Sequence, residues 1–324
     1  MPRTNRFYEA GRPYDICIRV RSGLPFPCLV FIKLLIQSAM ARASRDGRIT
    51  ICHYLWMQNH LHMIVVMKDS DDCKAFYAEL QKKLTDYVKR LLGIDHLHMW
   101  EGRPNVAKFG DLEKLKEKVA YDYANPSKAN LVQSIELYPG LSSWQEFQAA
   151  SKIDSTFTTE VPWIHNPAVP KVGARAFSSR VDQALADKLR RSSKKIERLI
   201  VEPNAWMRCY DLSDKDVSRI NSEIIATVRK FEKDAETKRV AKKKTVVGVQ
   251  GLLNERFFKP HQPKKKERRI FILSSVDQIR VEFIMLVKEL CAKCRKLFKA
   301  REFTLWPPGM FRPPSGALAS CVEL

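Results

Sequence analysis

Trp56-Met57-Gln58-Asn59-His60-Leu61-His62-Met63-Ile64-Val65-Val66 is the stretch on which the reading of this chain turns. It spans two apolar runs, residues 49–57 and 60–67, split by Gln58-Asn59. Both runs are rich in β-branched and aromatic residues and suit adjacent strands. Side chains alternate faces along a strand, so His60 and His62 point the same way, and Ile64 and Val66 continue that face. Two neutral imidazoles so placed can each give a lone pair to one divalent metal ion. A bare His-x-His favours a plainer reading, two partly buried histidines of an ordinary sheet, because the pattern is short and common. The turn before it and the apolar face after it tip the balance toward a site.

Working outward, Tyr14 to Arg21 alternates polar and apolar residues, the pattern of a half-buried strand, and Pro25 and Pro27 end it. A helix is expected from Leu29 to about Ser44, closed by Asp46-Gly47. Another begins at Asp71, with Phe76, Leu80, Leu84, Val88 and Leu91 near helical spacing. A third runs from about Asp111 to Tyr123, where Asn125-Pro126 is expected to end it. Strand, helix, strand pair, helix, short segment, helix describes an α+β domain over residues 1–150. Residues 151–175, with Pro162, Pro167 and Pro170, read as a connector. Residues 176–324 read as a basic, mainly helical domain, with helices over Ser179–Val201, Ser213–Lys244 and Asp277–Ala300.

Composition sets the partner class. The 324-residue chain carries a formal net charge of +21 with an ordinary 45% hydrophobic content. Such an imbalance points to a polyanion, nucleic acid or a membrane surface. The charge is clustered, in Lys242-Lys243-Lys244 and in Lys264, Lys265, Lys266, Arg268 and Arg269, which are expected to contact DNA phosphates. No apolar run approaches the roughly 18 residues of a membrane span, and no signal peptide is visible. Eight scattered cysteines imply reduced thiols in a cytoplasmic, nucleoid-associated protein. Cys291-x-x-Cys294 is a lone pair in a helical pattern and a weak zinc signal.

The residues around the histidines resemble a known family. Trp56-Met57-Gln58-Asn59-His60-Leu61-His62 resembles the motif of HUH single-tyrosine transposases, especially the REP-associated tyrosine transposases of the IS200-like group, with Gln58 in place of the usual proline. Three further blocks follow in the family's order: Leu97-His98-Met99-Trp100-Glu101-Gly102-Arg103, Tyr121-Asp122-Tyr123-Ala124-Asn125-Pro126-Ser127-Lys128-Ala129-Asn130-Leu131-Val132, and Tyr138-Pro139-Gly140-Leu141-Ser142-Ser143-Trp144. The resemblance covers about residues 5 to 150 and implies a ferredoxin-like core with an antiparallel sheet. His96 and His98 repeat the His-x-His spacing and read better as structural residues than as ligands.

Two tyrosines compete for the role of nucleophile. Leu112, Leu115, Val119 and Tyr123 form one helical packing stripe, and Tyr121 lies nearly opposite it, sharing a face with Asn125. The resemblance also places the nucleophile at Tyr121, four residues before Asn-Pro. It implies a magnesium or manganese ion held by His60 and His62. Asn125 is a natural third ligand, and capping the helix before Pro126 is an equally good role for it. The expected activity is that of a transposase, a single-strand DNA endonuclease cleaving and rejoining hairpin-bearing DNA through a 5′-phosphotyrosine. A homodimer is compatible with this. The alternative is a domesticated DNA-binding protein that kept the fold and lost cleavage, an option left open by Gln58, Ser127 and Lys128. A membrane-surface or RNA-binding module would leave the histidine pair unexplained.

Overall fold

β-Branched and aromatic runs become strands, and the amphipathic stretches between them cover the sheet. The computed structural model describes residues 7–21, 24, 26–173, 179–258 and 270–311. In chain order the elements are β1 (Pro13–Arg19), α1 (Val30–Ser44), β2 (Ile49–Trp56), β3 (His60–Met67), α2 (Ser70–Leu92), β4 (Asn105–Phe109), α3 (Leu112–Lys128), α4 (Trp144–Ala149), β5 (Phe157–Pro162), α5 (Ser179–Ser192), β6 (Ile196–Val201), α6 (Asp214–Ala241), α7 (Gly248–Leu253), β7 (Ile272–Leu273) and α8 (Asp277–Ala300). The architecture is α+β. The sheet order is β2-β3-β1-β4-β7, antiparallel throughout except that β7 pairs parallel to β4.

Alternation along β3 sorts the core. Leu61, Met63 and Val65 enter a cluster with α1 and α2 through Phe31, Leu35, Phe76 and Leu80. Ile64 enters a second cluster on the other face, where Leu115, Val119 and Tyr123 of α3 meet Val217, Ile220, Ile224 and Val228 of α6. Because helices cover both faces, β1 is buried along nearly its whole length, where the alternating sequence had suggested a half-exposed strand. Each fully buried aliphatic side chain in these clusters contributes on the order of 1.5–3 kcal/mol.

Both clusters draw side chains from either side of residue 150. Val161, Leu199 and Val201 join the first, and Trp206 joins the second. α1 has no side-chain cap of its own. Asp182 of α5 instead accepts from the backbone N–H groups of Val30 and Phe31, both at 2.7 Å. This use of a distant carboxylate is the physical equivalent of a local N-cap.

Three expectations need correction. The helix expected over Ser179–Val201 stops at Ser192, and Ile196–Val201 becomes β6, antiparallel to β5. Its Ile, Leu, Ile and Val suit a strand once a partner is available, and that partner, Phe157–Pro162, lies inside the expected connector. α3 does not end at Asn125-Pro126; it continues through Pro126 to Lys128. Proline removes one donor, yet Ala129 N–H still reaches the Asn125 carbonyl at 2.8 Å, and Asn130, at a φ of 57°, turns the chain out. Among the described residues, no helix is long and apolar enough to cross a membrane.

Candidate active site

The second face of the sheet is where chemistry-bearing side chains gather. In the strand register His62 lies opposite Cys17 of β1, and His60 lies opposite Arg19. The two imidazoles face the same side, with ring centroids 4.7 Å apart and planes nearly perpendicular. His60 Nδ1 lies 2.7 Å from the carboxamide oxygen of Asn59. That oxygen only accepts, so Nδ1 carries the proton and Nε2 keeps its lone pair. Nε2 in turn lies 3.4 Å from the Asn125 amide nitrogen. Turning that amide over would present its oxygen instead, at a separation typical of two ligands on one metal. Since Asn125 sits inside α3, the helix-capping role is removed.

His62 has a different neighbourhood. Its Nδ1 lies 3.3 Å from Lys118 Nζ, 3.7 Å from Asp122 and 4.0 Å from Asp15. Lys118 also sits 2.5 Å from Asp122 and 3.0 Å from Asp15. One donor atom each from Asp15, His62 and Asp122 lies within 4.8 Å of the others, so these three could hold a metal ion. In the structure the ammonium of Lys118 already sits among them.

The charges in this buried cluster constrain one another. Burial, then the positive charge of Lys118, hold the His62 imidazole far below its ordinary pKa, in the neutral form that can ligate. Burial acts against the Lys118 ammonium, but Asp122 and Asp15 outweigh it and raise its pKa. Burial pushes the Asp122 carboxyl up, against the pull of Lys118. An ammonium can only donate, so a Lys118 proton given to His62 Nδ1 leaves the ring proton on Nε2. With Nδ1 taken by Lys118 in this way, neutral His62 has no lone pair left for a metal.

α3 supplies the rest of this face. Lys118, Asp122 and Asn125 of α3 reach His62 and His60 of β3, and Tyr121 falls at helical spacing from Lys118 and Asn125. Tyr121 is 38% exposed, and the Lys128 ammonium lies 3.8 Å from its ring centroid. Tyr123 is 1% exposed. Its hydroxyl lies 2.9 Å from His53 Nδ1 and 3.0 Å from Ser143 Oγ, and its ring stacks on Phe147. Trp206 donates to His53 Nε2 at 3.2 Å. An indole only donates, so the His53 proton sits on Nδ1, facing Tyr123.

The fourth sequence block closes against this region. Tyr138 donates to the Trp56 carbonyl at 2.7 Å, and Ser143 Oγ accepts from Tyr54 N–H at 2.8 Å. Gly140 passes so near the Tyr138 ring that a Cβ there would lie 2.3 Å from it. His96 and His98 are exposed between α2 and β4, not packed structural histidines as expected. Cys291 and Cys294 are buried beside Met310.

Thus the structure brings together His60, His62 and Asn125, with Tyr121 one turn before Asn125. Lys264, Lys265, Lys266, Arg268 and Arg269 lie outside the described residues. Sequence reasoning missed Asp15, Lys118 and Asp122. The available signals were an aspartate inside a mostly apolar strand and a Lys-Asp pair four apart on the helix that carries Tyr121 and Asn125.

Comparison with known proteins gives little beyond this geometry. No family model and no curated protein matches the chain. Among solved structures, a REP-associated tyrosine transposase bound to a REP hairpin is distantly similar, at 21% identity and a TM-score of 0.40, over 46% of this chain and 86% of that one.

Proposed function

We propose that this chain is a metal-dependent, single-strand DNA nuclease-transposase of the HUH type, built on a ferredoxin-like core. The β1-α1-β2-β3-α2-β4 order and the β2-β3-β1-β4 neighbours support that core. The observation that carries the functional reading is the meeting of β3 and α3. His60 Nε2 faces Asn125 at 3.4 Å, while Tyr121, one turn earlier on the same helix, reaches solvent.

The donor set fits a divalent ion. His60 has its proton fixed on Nδ1 by Asn59, Asn125 can turn a carboxamide oxygen toward its Nε2, and neutral His62 offers Nδ1 once the Lys118 ammonium gives up its place there. A magnesium or manganese ion held there supplies polarisation of a nonbridging phosphate oxygen. Tyr121 aligns its phenolic oxygen for attack on phosphorus. An O–P bond to tyrosine forms, the bond to the 3′ oxygen breaks, and the proton lost by the phenol is balanced by one taken up, through solvent, by the released 3′ oxygen. The 5′-phosphotyrosine keeps the phosphoester energy, so a second strand can be joined without a nucleotide cofactor. Lys128, over the Tyr121 ring, adds positive charge where the phosphate must come.

One observation favours a second reading. The Lys118 ammonium already neutralises Asp15 and Asp122 and contacts His62, as suits a protein that binds hairpin DNA and no longer cuts it. Incubation with end-labelled, hairpin-bearing single-stranded DNA and manganese separates the two. The first reading expects a denaturation-resistant protein–DNA adduct that chelation abolishes. Binding without an adduct at any divalent ion would select the second.

A further inference from the structure

The concentrated charge of the second half has a definite place in the fold. The C-terminal ends of α3 and α6 enclose a cavity of about 340 Å³ lined by Lys128, Lys238, Arg239, Lys242 and Lys244, with Phe231 and Asp234 in its wall. That volume is at the small end of ligand pockets. Its floor is fixed. Arg239 is buried and donates through Nη1 to the Ser127 carbonyl at 2.7 Å and to Ser127 Oγ at 3.2 Å, clamping α6 onto α3. The chain after α6 returns to the same place, where Val247 and Gly248 N–H groups reach the Asn130 and Leu131 carbonyls.

Lys128 joins this cavity to the candidate nucleophile. Its ammonium lies between two rings, 3.8 Å from the Tyr121 centroid and 4.7 Å from the Phe231 centroid. Burial, then the like charge of Lys238, lower the Lys128 pKa, against the pull of Glu117 and Asp234. Lys238, Lys242 and Lys244 are exposed around the cavity. An anion entering it meets several cations on a rigid floor, next to Tyr121.

We propose that this cavity seats a backbone phosphate of the DNA strand, adjacent to the phosphodiester that Tyr121 attacks, so that α6, from outside the transposase-like blocks, positions the strand for cleavage. The proposal rests on the reading of the chain as a single-strand DNA transposase. It goes beyond that reading by assigning a strand path to residues that the resemblance does not cover. Phosphate contact of this kind aligns a strand without reading its sequence.

The test uses the full chain, with Lys238→Gln/Lys242→Gln as the cavity variant and Lys152→Gln/Lys188→Gln, two exposed lysines outside the cavity lining, as a charge-matched control. The probe is a hairpin oligonucleotide with single-stranded tails. Loss of this one phosphate contact in the cavity variant should make the slope of log affinity against log salt shallower by about 0.7, with a much smaller change for the control. A set of probes each carrying one neutral methylphosphonate then locates the contact. At one or two tail positions the wild type should lose affinity while the cavity variant loses nothing more. Equal slopes for the two variants, or losses that add at every position, would overturn the subsite. If the wild type binds the hairpin but forms no adduct, the cleavage reading falls and the phosphate coupling still decides the subsite. If it binds no DNA, both fall.

Discussion

Tyr121 and Tyr123 are separated by one residue on α3 and occupy opposite environments. Tyr123 stacks on Phe147, packs edge-on against Trp144, and bonds His53 and Ser143. Tyr121 reaches solvent beneath a lysine ammonium, on the helix face that also carries Asn125. The residue type is the same, and 200° of helical rotation separates a structural hydroxyl from an available one. A buried phenol with its oxygen committed to two partners cannot approach phosphorus without dismantling the core. The same contrast holds for the histidines: His53 is fixed between Trp206 and Tyr123, while His60 and His62 face α3.

The largest expected effect separates the tyrosines by activity. Tyr121→Phe should abolish covalent DNA adduct, and Tyr123→Phe should retain it, as read on denaturing gels with manganese. His60→Ala should also lose the adduct. Retention of full adduct by Tyr121→Phe would erase the proposed contrast.

Next in size is the cluster around Lys118. Lys118→Met leaves two buried carboxylates without their cation, at a cost of about 3–5 kcal/mol. It also leaves Asp15, His62 and Asp122 as a vacant donor set. Manganese should therefore raise the melting temperature of Lys118→Met more than that of the wild type, by binding the folded state alone. An equal response of the two proteins would mean that Lys118 does not sit where a cation can.

The structural histidine makes a pH prediction. Burial holds His53 down to about 3, against an ordinary 6.5. The unfolded chain therefore binds a proton that the native state refuses. Stability from this group is complete above pH 6.5 and is lost as pH falls toward 3, by roughly 4–5 kcal/mol in all. Urea titrations between these limits should show a shallower acid slope for His53→Gln than for the wild type. Identical slopes would remove His53 as the source.

The smallest effect returns to the tyrosines. Tyr123→Phe leaves His53 Nδ1–H without its partner in the core and should cost about 1–3 kcal/mol. Tyr121→Phe should change stability by less than about 0.5 kcal/mol. Matching losses in urea denaturation would place both hydroxyls in the same kind of environment.

How much was legible in the sequence follows from which forces are local. β3 runs over His60–Met67 and α8 over Asp277–Ala300, the spans that periodicity suggests. The common face of His60 and His62, and the opposition of Tyr121 to Tyr123, are consequences of strand and helix geometry alone. What was hidden depends on contacts distant in sequence. β6 needs β5 as a partner, and α1 takes its cap from Asp182. The Asp15–Lys118–Asp122 cluster exists only because β1 lies beside β3 in the sheet and α3 packs over the face on which Asp15 stands. Pro126 gave a misleading stop, since the packing of α3 on α6 carries the helix past it. The basic cavity needs the ends of two helices separated by about a hundred residues, which no local pattern reveals.

Mass spectrometry of the trapped adduct tests the central claim most directly. Trypsin should release both tyrosines on one peptide, Val119 to Lys128, so fragmentation between Tyr121 and Tyr123 decides which carries the nucleotide remnant. The account predicts the added mass on every fragment containing Tyr121 and on none that contains Tyr123 alone. A remnant on Tyr123, or on a residue outside this peptide, would contradict it.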